Sequence, residues 1–141
     1  MKLGIKKMHI DAQIPKYGHE NDACMDLYVV EDYYLRPGDV KILNTGVSFD
    51  IPAGYSLEVR PRSSAIKNQL IILNAPGTID ESYTGIVYIG VKNVGDKDYA
   101  INKGDRMAQI KLEPVIKIEL YEIDELKQTD RGAGGFGSTG R

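Results

Sequence analysis

Apolar and polar residues alternate along most of this chain in short runs. In one such run Tyr55, Leu57 and Val59 alternate with polar neighbours, and this period of two is typical of a strand with one buried face. The same alternation, rich in valine, isoleucine and tyrosine, predicts six further strands. They cover residues 25–30, 40–43, 46–51, 86–92, 107–112 and 115–121.

Turn-forming residues separate these runs. Clusters of Pro, Gly, Asn and Asp stand at residues 36–39, 52–54, 93–96 and 102–105. Helix is predicted only as a turn or two near residues 63–68 and as a short segment at 122–128. Many short strands without long helices between them predict an all-β fold, a jelly-roll-like β-sandwich. We expect one core domain, residues 1–121, followed by a linker and a flexible, glycine-rich C-terminal arm, residues 122–141.

Composition narrows the class of partner. The 141 residues carry 18 Lys and Arg against 20 Asp and Glu, a net charge of -2, which argues against binding nucleic acid or an anionic membrane through bulk charge. No apolar run approaches the roughly 20 residues of a membrane span, and residues 1–7 lack the apolar region of a signal peptide. The lone Cys24 excludes an intrachain disulfide and suits a reducing compartment. We therefore expect a soluble, cytoplasmic protein.

The arm itself has an unusual composition. Residues 131–141 hold five of the chain's 15 glycines, together with one aromatic ring, two hydroxyls and two guanidinium groups. Such a segment has almost no apolar surface with which to build a core. It is either a disordered tail or an arm that wraps a phosphate ligand, with Phe136 stacking on a base, Ser138 and Thr139 donating to phosphate oxygens and Arg131 pairing with their charge.

A second polar cluster, residues 60–67, stands where a predicted strand ends. It contains Arg62, Ser63 and Ser64. Either serine would suit the N-cap of a short helix, which is the structural interpretation. The functional interpretation is a phosphate-binding segment, in which a guanidinium and two hydroxyls converge on phosphate oxygens.

Residues 74–85 form a third cluster, in which a Pro-Gly turn precedes Asp80 and Tyr83. One interpretation is a β-hairpin in which Asp80 bonds local backbone. The other is a carboxylate fixed beside an aromatic ring, suited to taking a proton from water while the ring packs on a sugar. Two signals are weaker. Asp26 stands at the start of a strand, where exposed aspartates are common, and Asp105 with Arg106 fits a turn with a surface ion pair.

Together these segments resemble, in order, the five motifs of the homotrimeric, all-β dUTP diphosphatase (dUTPase) family, of bacterial or phage type. The matching segments are residues 23–27, 61–64, 77–85, 104–109 and 131–140. The resemblance implies hydrolysis of dUTP to dUMP and pyrophosphate, by in-line attack of water on the α-phosphate. This activity limits the incorporation of uracil into DNA and supplies dUMP for thymidylate synthesis.

The resemblance also implies roles for individual residues. Asp80 would orient and deprotonate the water, and Tyr83 would stack under the deoxyribose and reject a 2′-hydroxyl. The remaining implied roles fall to three groups. Uracil is recognised by the backbone of Asn74, Gly77, Thr78 and Ile79; the triphosphate is contacted by Arg62, Ser63, Ser64 and Gln109; and the arm supplies Arg131, Phe136, Gly137, Ser138 and Thr139.

Metal and assembly follow from the same resemblance. Asp26 would hold waters on a Mg²⁺ ion that bridges the phosphates. Each site would combine residues of different subunits of a homotrimer, with the third subunit contributing its arm. The family match implies neither nucleic acid nor membrane as a partner.

Two alternative functions remain. A dCTP deaminase shares the fold but needs an extra carboxylate in the strand after residue 85, and residues 86–92 contain none. A dUTPase-like module whose main role is to bind a regulatory protein would have lost catalytic residues or gained a surface loop, whereas Asp80, Tyr83 and the arm are all present.

Overall fold

The computed structural model describes residues 1–135, and nearly all of its regular structure is β-strand. The strands are β1 (Gly4–Lys7), β2 (Lys16–Tyr17), β3 (Met25–Tyr28), β4 (Tyr33–Leu35), β5 (Val40–Asn44), β6 (Val47–Asp50), β7 (Tyr55–Pro61), β8 (Leu70–Ile72), β9 (Gly77–Ile79), β10 (Tyr88–Asn93), β11 (Tyr99–Ile101) and β12 (Arg106–Pro114). One helical turn, α1 (Ser64–Lys67), follows β7. The predicted all-β, jelly-roll-like fold is confirmed.

The strands form two larger antiparallel sheets and two ribbons. The largest sheet has the order β2-β3-β12-β7-β9, and a second has the order β5-β10-β8, while β1 pairs with β6 and β11 with β4. Neighbours in these sheets are rarely neighbours in sequence. Residues from distant motifs are therefore brought onto adjacent strands.

The core lies between the two larger sheets. The five-stranded sheet contributes fully buried side chains such as Leu57 and Ile110, and the three-stranded sheet contributes Leu43 and Ile89. Alternation explains this, because residues two apart on a strand share a face. Burying each such side chain stabilises the fold by roughly 1.5–3 kcal/mol.

The pattern of alternation locates the long strands but misses the short ones. Six of the strands, β1, β2, β4, β8, β9 and β11, have only two to four residues each and lie outside the predicted runs. Too few residues alternate in them to give a period. The helix predicted near residues 63–68 is confirmed as α1.

Two predictions beyond β12 are wrong. Residues 115–121 form no strand, because β12 ends at Pro114 and no other strand among residues 1–135 pairs with them. Residues 122–128 form no helix. A segment of that length is marginal as a helix unless it packs, and Leu126 is exposed. The domain boundary at residue 121 stays a prediction.

The structure also bears on the membrane question. Among the described residues, no helix has the length and apolar character required to cross a membrane.

Candidate active site

One cavity of about 310 Å³ gathers most of the residues predicted in the third cluster. It lies where β9 joins the edge of the large sheet and the chain continues towards β10. Six predicted site residues line it: Asn74, Gly77, Thr78, Ile79, Asp80 and Tyr83. Apolar and aromatic side chains complete the wall, namely Val59, Ile86, Val87 and Tyr88.

The backbone of this cavity wall is tightly constrained at Gly77. A Cβ atom there would lie 2.3 Å from the carbonyl oxygen of Asn74, so that only glycine allows the chain to fold back on itself. The predicted β-hairpin is not formed as such. Gly77 pairs with Val59, and β9 is an edge strand of the five-stranded sheet rather than a partner of β10.

The side chain of Asn74 fastens this segment to β10. Its Nδ2 donates to the carbonyl oxygen of Tyr88 at 2.9 Å, and its Oδ1 accepts from the N–H of Gly90 at 2.8 Å. The amide therefore serves the backbone of a neighbouring strand. The sequence predicts Asn74 as part of the binding surface but gives no sign of this second, positioning role.

Asp80 and Tyr83 are held by a turn between them. The N–H of Tyr83 donates to the carbonyl oxygen of Asp80 at 3.0 Å, and the hydroxyl of Tyr83 donates to the carbonyl oxygen of Ile86 at 2.9 Å. Glu81 accepts from the N–H of Gly54 at 2.7 Å, which ties this turn to the loop between β6 and β7. Asp80 lines the cavity and is exposed. Its carboxylate accepts no hydrogen bond from residues 1–135.

A second cavity, of about 400 Å³, gathers three of the four core residues predicted to contact phosphates, together with Asp26. Its lining joins the end of β7, the start of β12 and the segment that leads into β3. The predicted residues Asp26, Arg62, Ser63 and Gln109 line it together with Gly18, His19, Asp22, Ala23, Cys24 and Arg106.

Asp26 bridges two arginines in this cavity. Its Oδ1 lies 2.7 Å from Nε of Arg62, and its Oδ2 lies 3.1 Å from Nη1 of Arg106. The Asp26 side chain is only 12% exposed, and a carboxylate buried this far needs such partners. The expected surface pair of Asp105 with Arg106 is not formed. Asp105 instead accepts from the N–H of Asn102 at 2.8 Å.

Arg106 also lines this cavity, although its sequence context predicts no role for it there. It lies 80 residues from Asp26 in sequence, and it reaches the cavity only because β3 and β12 are adjacent. Its position directly after a Gly-Asp turn is the one local signal, and that signal is common to many strand starts.

The remaining phosphate-motif residues are fixed in the same region. Gln109 donates from Nε2 to the carbonyl oxygen of Pro61 at 2.9 Å, which joins β12 to the segment carrying Arg62. Ser63 occupies the N-cap position of α1 but makes no side-chain capping hydrogen bond, so the capping interpretation fails for this residue.

Ser64 lines an adjoining cavity of about 260 Å³ with Arg62, Arg106 and Tyr99. The hydroxyl of Tyr99 accepts from Nδ2 of Asn68 at 2.8 Å. Burial, and then the charge of Asp105, raise the pKa of Tyr99 above its ordinary value. Tyr99 therefore stays a neutral wall of this cavity across the physiological pH range.

The two main cavities have no lining residue in common. The carboxylate and the aromatic ring line one of them, and the arginines line the other. The arm is described only in part: the exposed Arg131 donates from Nε to the carbonyl oxygen of Gly134 at 2.9 Å. The predicted contacts Phe136, Gly137, Ser138 and Thr139 lie outside the described residues.

Protein ligands alone do not build a metal site here. Within residues 1–135, no group of three or more His, Cys, Asp or Glu side chains is placed to hold a metal ion. A cation bound at Asp26 would therefore need further oxygen ligands, supplied by a bound small molecule and by water.

Comparisons with known proteins bear on the family of this chain. The sequence profile of the dUTPase family matches residues 11–140. A deoxyuridine 5'-triphosphate nucleotidohydrolase of Nautilia profundicola is 44% identical over 142 residues, covering 100% of both chains. A mutant dUTPase of Staphylococcus bacteriophage 80alpha, solved with dUpNHpp, superposes with a TM-score of 0.91 at 28% identity, covering 99% of each chain.

A second structural relative bears on the metal. A mutant dUTPase from phage phi11 of S. aureus superposes with a TM-score of 0.83 at 25% identity, over 91% of this chain and 100% of that one. That structure reveals the coordination of a structural Mg(II) ion in the phage protein.

Proposed function

This chain belongs to the dUTPase family, and we propose that it hydrolyses dUTP to dUMP and pyrophosphate in the cytoplasm. The observation that carries the proposal is the first cavity, which the exposed Asp80 lines together with the fixed ring of Tyr83. A carboxylate can take a proton from an attacking water, and an aromatic ring beside it can pack on a sugar.

The base is recognised by backbone. The N–H and C=O groups of residues 74–79 present a fixed pattern, because Gly77 permits the tight fold and the Asn74 side chain fastens it to β10. A fixed pattern complementary to uracil rejects cytosine, whose exocyclic amine inverts one donor–acceptor position. The ring of Tyr83 lies against the sugar and leaves no space for a 2′-hydroxyl.

The chemical step needs no covalent intermediate. Asp80 accepts a proton from water as the water oxygen bonds to the α-phosphorus. The bond from that phosphorus to the oxygen bridging the α- and β-phosphates breaks, and pyrophosphate leaves with its electron pair. Catalysis rests on positioning the water in line and on neutralising phosphate charge.

The second cavity supplies the phosphate contacts. Arg62, Ser63, Ser64 and Gln109 are the predicted donors. The formal charges lining this cavity balance, because Arg62 and Arg106 offset Asp22 and Asp26. A triphosphate that enters it therefore needs a counter-charge of its own.

The residues present fit a Mg²⁺ ion that enters with the triphosphate and that Asp26 would hold through water. Mg²⁺ usually keeps several waters and binds through phosphates with one or two carboxylates. Asp26 has about four lone-pair sites and spends one on each arginine, so it can still accept from water on the ion. When bound, the ion neutralises charge on the triphosphate.

We further propose a homotrimer with shared active sites. The separation of the two cavities supports this, since one copy's Asp80 would then meet a neighbour's arginines. The outer face of the β5-β10-β8 sheet supports it independently, because it exposes apolar side chains that a neighbour would cover. They are Val40, Ile42, Ile71, Leu73 and Tyr88.

The chain beyond β12 fits the same assembly. Ile116, Ile118 and Leu120 alternate along it, and all three are largely exposed. An extended segment of this kind gains both hydrogen bonds and burial when it lies on a neighbouring subunit. The arm that follows, with Arg131, Phe136, Gly137, Ser138 and Thr139, would close over the site of another subunit.

The test is pyrophosphate release with Mg²⁺ from dUTP, UTP, dCTP and dTTP in parallel. We expect release from dUTP alone. Release from UTP at a similar rate would contradict the role of Tyr83, and release from none would contradict the proposed function. Ammonia released from dCTP would instead identify a deaminase.

A further inference from the structure

Arg106 occupies a distorted position at the start of β12. Register along the β3–β12 pair runs from Arg106 opposite Tyr28 to Ala108 opposite Leu27, so that Met107 is an extra residue. Met107 is buried, with 7% of its surface exposed. A bulge of this kind bends the strand and re-aims the neighbouring side chain. Here it directs Arg106 into the lining of the phosphate cavity.

Among the described residues, the guanidinium of Arg106 is hydrogen-bonded through one of its nitrogen atoms. Its Nη1 donates to Asp26 at 3.1 Å, and this is its one side-chain hydrogen bond within residues 1–135. Arg62 is more committed, since its Nε and Nη1 donate to Asp26, to Ser64 and to the carbonyl oxygen of Arg106. The Arg106 side chain is 51% exposed, against 24% for Arg62. Because arginine has five N–H donors, Arg106 has the larger number left for a ligand.

The backbone before Arg106 is already ordered. The N–H of Gly104 donates to the carbonyl oxygen of Val29 at 2.8 Å, and the N–H of Val29 donates to that of Asp105 at 3.0 Å. Both bonds fasten the turn to the end of β3. A ligand that binds Arg106 therefore orders little more than part of one side chain, which lowers the entropic cost of binding.

We propose that Arg106 binds the triphosphate of the substrate directly, and that Asp26 is the positioning residue that holds its guanidinium at the cavity. This inference rests on the proposed function, because it takes the cavity to be the phosphate site. Two adjacent N–H groups of a guanidinium match two phosphate oxygens. Arg62, Ser63, Ser64 and Gln109 would then share the phosphates with a second arginine.

Isothermal titration calorimetry at fixed Mg²⁺ tests the proposal, with dUpNHpp, dUMP and inorganic pyrophosphate as probes. The variants are Arg106→Gln, Arg106→Lys and, as a matched control, Arg36→Gln, which changes an exposed arginine in the turn before β5. Losing hydrogen bonds to a charged partner costs about 1.5–3 kcal/mol of binding free energy. We therefore expect Arg106→Gln to weaken dUpNHpp binding by roughly 10- to 150-fold, to weaken pyrophosphate binding as well, and to change the affinity for dUMP, which has a single phosphate, less than that for dUpNHpp.

The conservative variant separates charge from geometry. Arg106→Lys keeps the charge but loses paired donation, so its dUpNHpp affinity should fall between those of the wild type and Arg106→Gln. If Arg106→Gln does not fold, the affinity of Arg106→Lys for dUpNHpp tests the proposal by itself. Arg36→Gln should bind all three probes as the wild type does.

The outcomes distinguish this inference from the proposed function. Wild-type affinity for dUpNHpp in a folded Arg106→Gln or Arg106→Lys variant would overturn the inference alone. A wild-type protein that binds pyrophosphate through Arg106 but neither uracil nucleotide would support the inference and overturn the proposed function. Binding of no probe by the wild type would overturn both.

Discussion

A methyl group on Gly85 would lie 2.5 Å from the hydroxyl oxygen of Tyr83. The ring of Tyr83 therefore lies directly against the backbone of Gly85, and its hydroxyl reaches the carbonyl oxygen of Ile86 at 2.9 Å. Two features therefore set the orientation of the ring: the lack of a side chain at Gly85 and the hydrogen bond from the Tyr83 hydroxyl. This wall of the cavity is thus held in place before any ligand binds.

Gly85→Ala should displace this ring. The added Cβ takes the place of the Tyr83 hydroxyl, so the ring must move; a loss of about 1.4 kcal/mol of transition-state stabilisation would lower kcat/KM for dUTP roughly tenfold. The ratio of kcat/KM for dUTP to that for UTP should fall as well, because the ring no longer blocks a 2′-hydroxyl. Steady-state pyrophosphate release measures both. Tyr83→Phe keeps the ring over Gly85, and its ratio should stay closer to that of the wild type; an unchanged ratio in Gly85→Ala would contradict the role of the contact.

Asp80→Asn should stop turnover and leave binding intact. The amide can hold a water but cannot accept its proton, and general-base catalysis contributes about 10²- to 10⁴-fold. We expect kcat to fall by at least that range, with dUpNHpp affinity near the wild-type value. Glu81→Gln is the matched control, because it removes the adjacent charge yet can still accept from the N–H of Gly54. Retained turnover in Asp80→Asn would remove Asp80 from the role of base.

The sequence allows some groups that line the two cavities to be predicted, because residue types at fixed local spacing carry them. Asp80 and Tyr83 lie three apart and line one cavity, as predicted. Arg62 and Ser63 line the other. These pairs need no knowledge of the sheet order.

The contacts that the sequence does not predict join residues that are far apart in the chain. The hydrogen bonds of Asn74 join β10 14 and 16 residues later, and the pairing of Arg106 with Asp26 spans 80 residues. Sheet order decides such contacts, and local pattern does not contain it. The alternation in residues 115–121 has the period of a strand, but a strand also needs a partner, and residues 1–135 of one chain supply none.

Asn74→Ala should loosen the base-recognition segment. It removes two neutral hydrogen bonds to β10, worth about 1–3 kcal/mol together. We expect a lower Tm in a thermal melt, and weaker discrimination between dUTP and dCTP in the pyrophosphate assay. Asn74→Asp keeps the acceptor for the Gly90 N–H but sets a carboxylate against the Tyr88 carbonyl oxygen, so it should be at least as damaging. Full selectivity in a folded Asn74→Ala variant would contradict the positioning role.

Ile42→Glu should dissociate the proposed trimer. Ile42 is 69% exposed in a single chain and lies on the apolar outer face of the β5-β10-β8 sheet. Burying a charge there without a partner costs several kcal/mol. We expect monomers in sedimentation velocity and loss of turnover. Ile10→Glu is the control, because Ile10 is 90% exposed but lies outside that sheet; a trimeric, active Ile42→Glu variant would contradict an interface at this face.

Complementation between two inactive variants tests whether sites are shared. Asp80 and Arg62 line separate cavities of one chain, so in the proposed trimer an intact site takes Asp80 from one subunit and Arg62 from its neighbour. Arg62→Ala and Asp80→Asn should each be inactive alone. After the two are unfolded together and refolded as an equal mixture, about a quarter of the sites should combine both native residues.

The mixture should therefore recover about a quarter of wild-type turnover, measured as pyrophosphate release from dUTP. Mixing the two folded variants without unfolding gives no subunit exchange on the time of the assay if the trimer is tight, so it serves as the control. A refolded mixture as inactive as its components would mean that Asp80 and Arg62 act within one chain. The two cavities would then have to join by movement of the segment between β8 and β10 rather than by assembly.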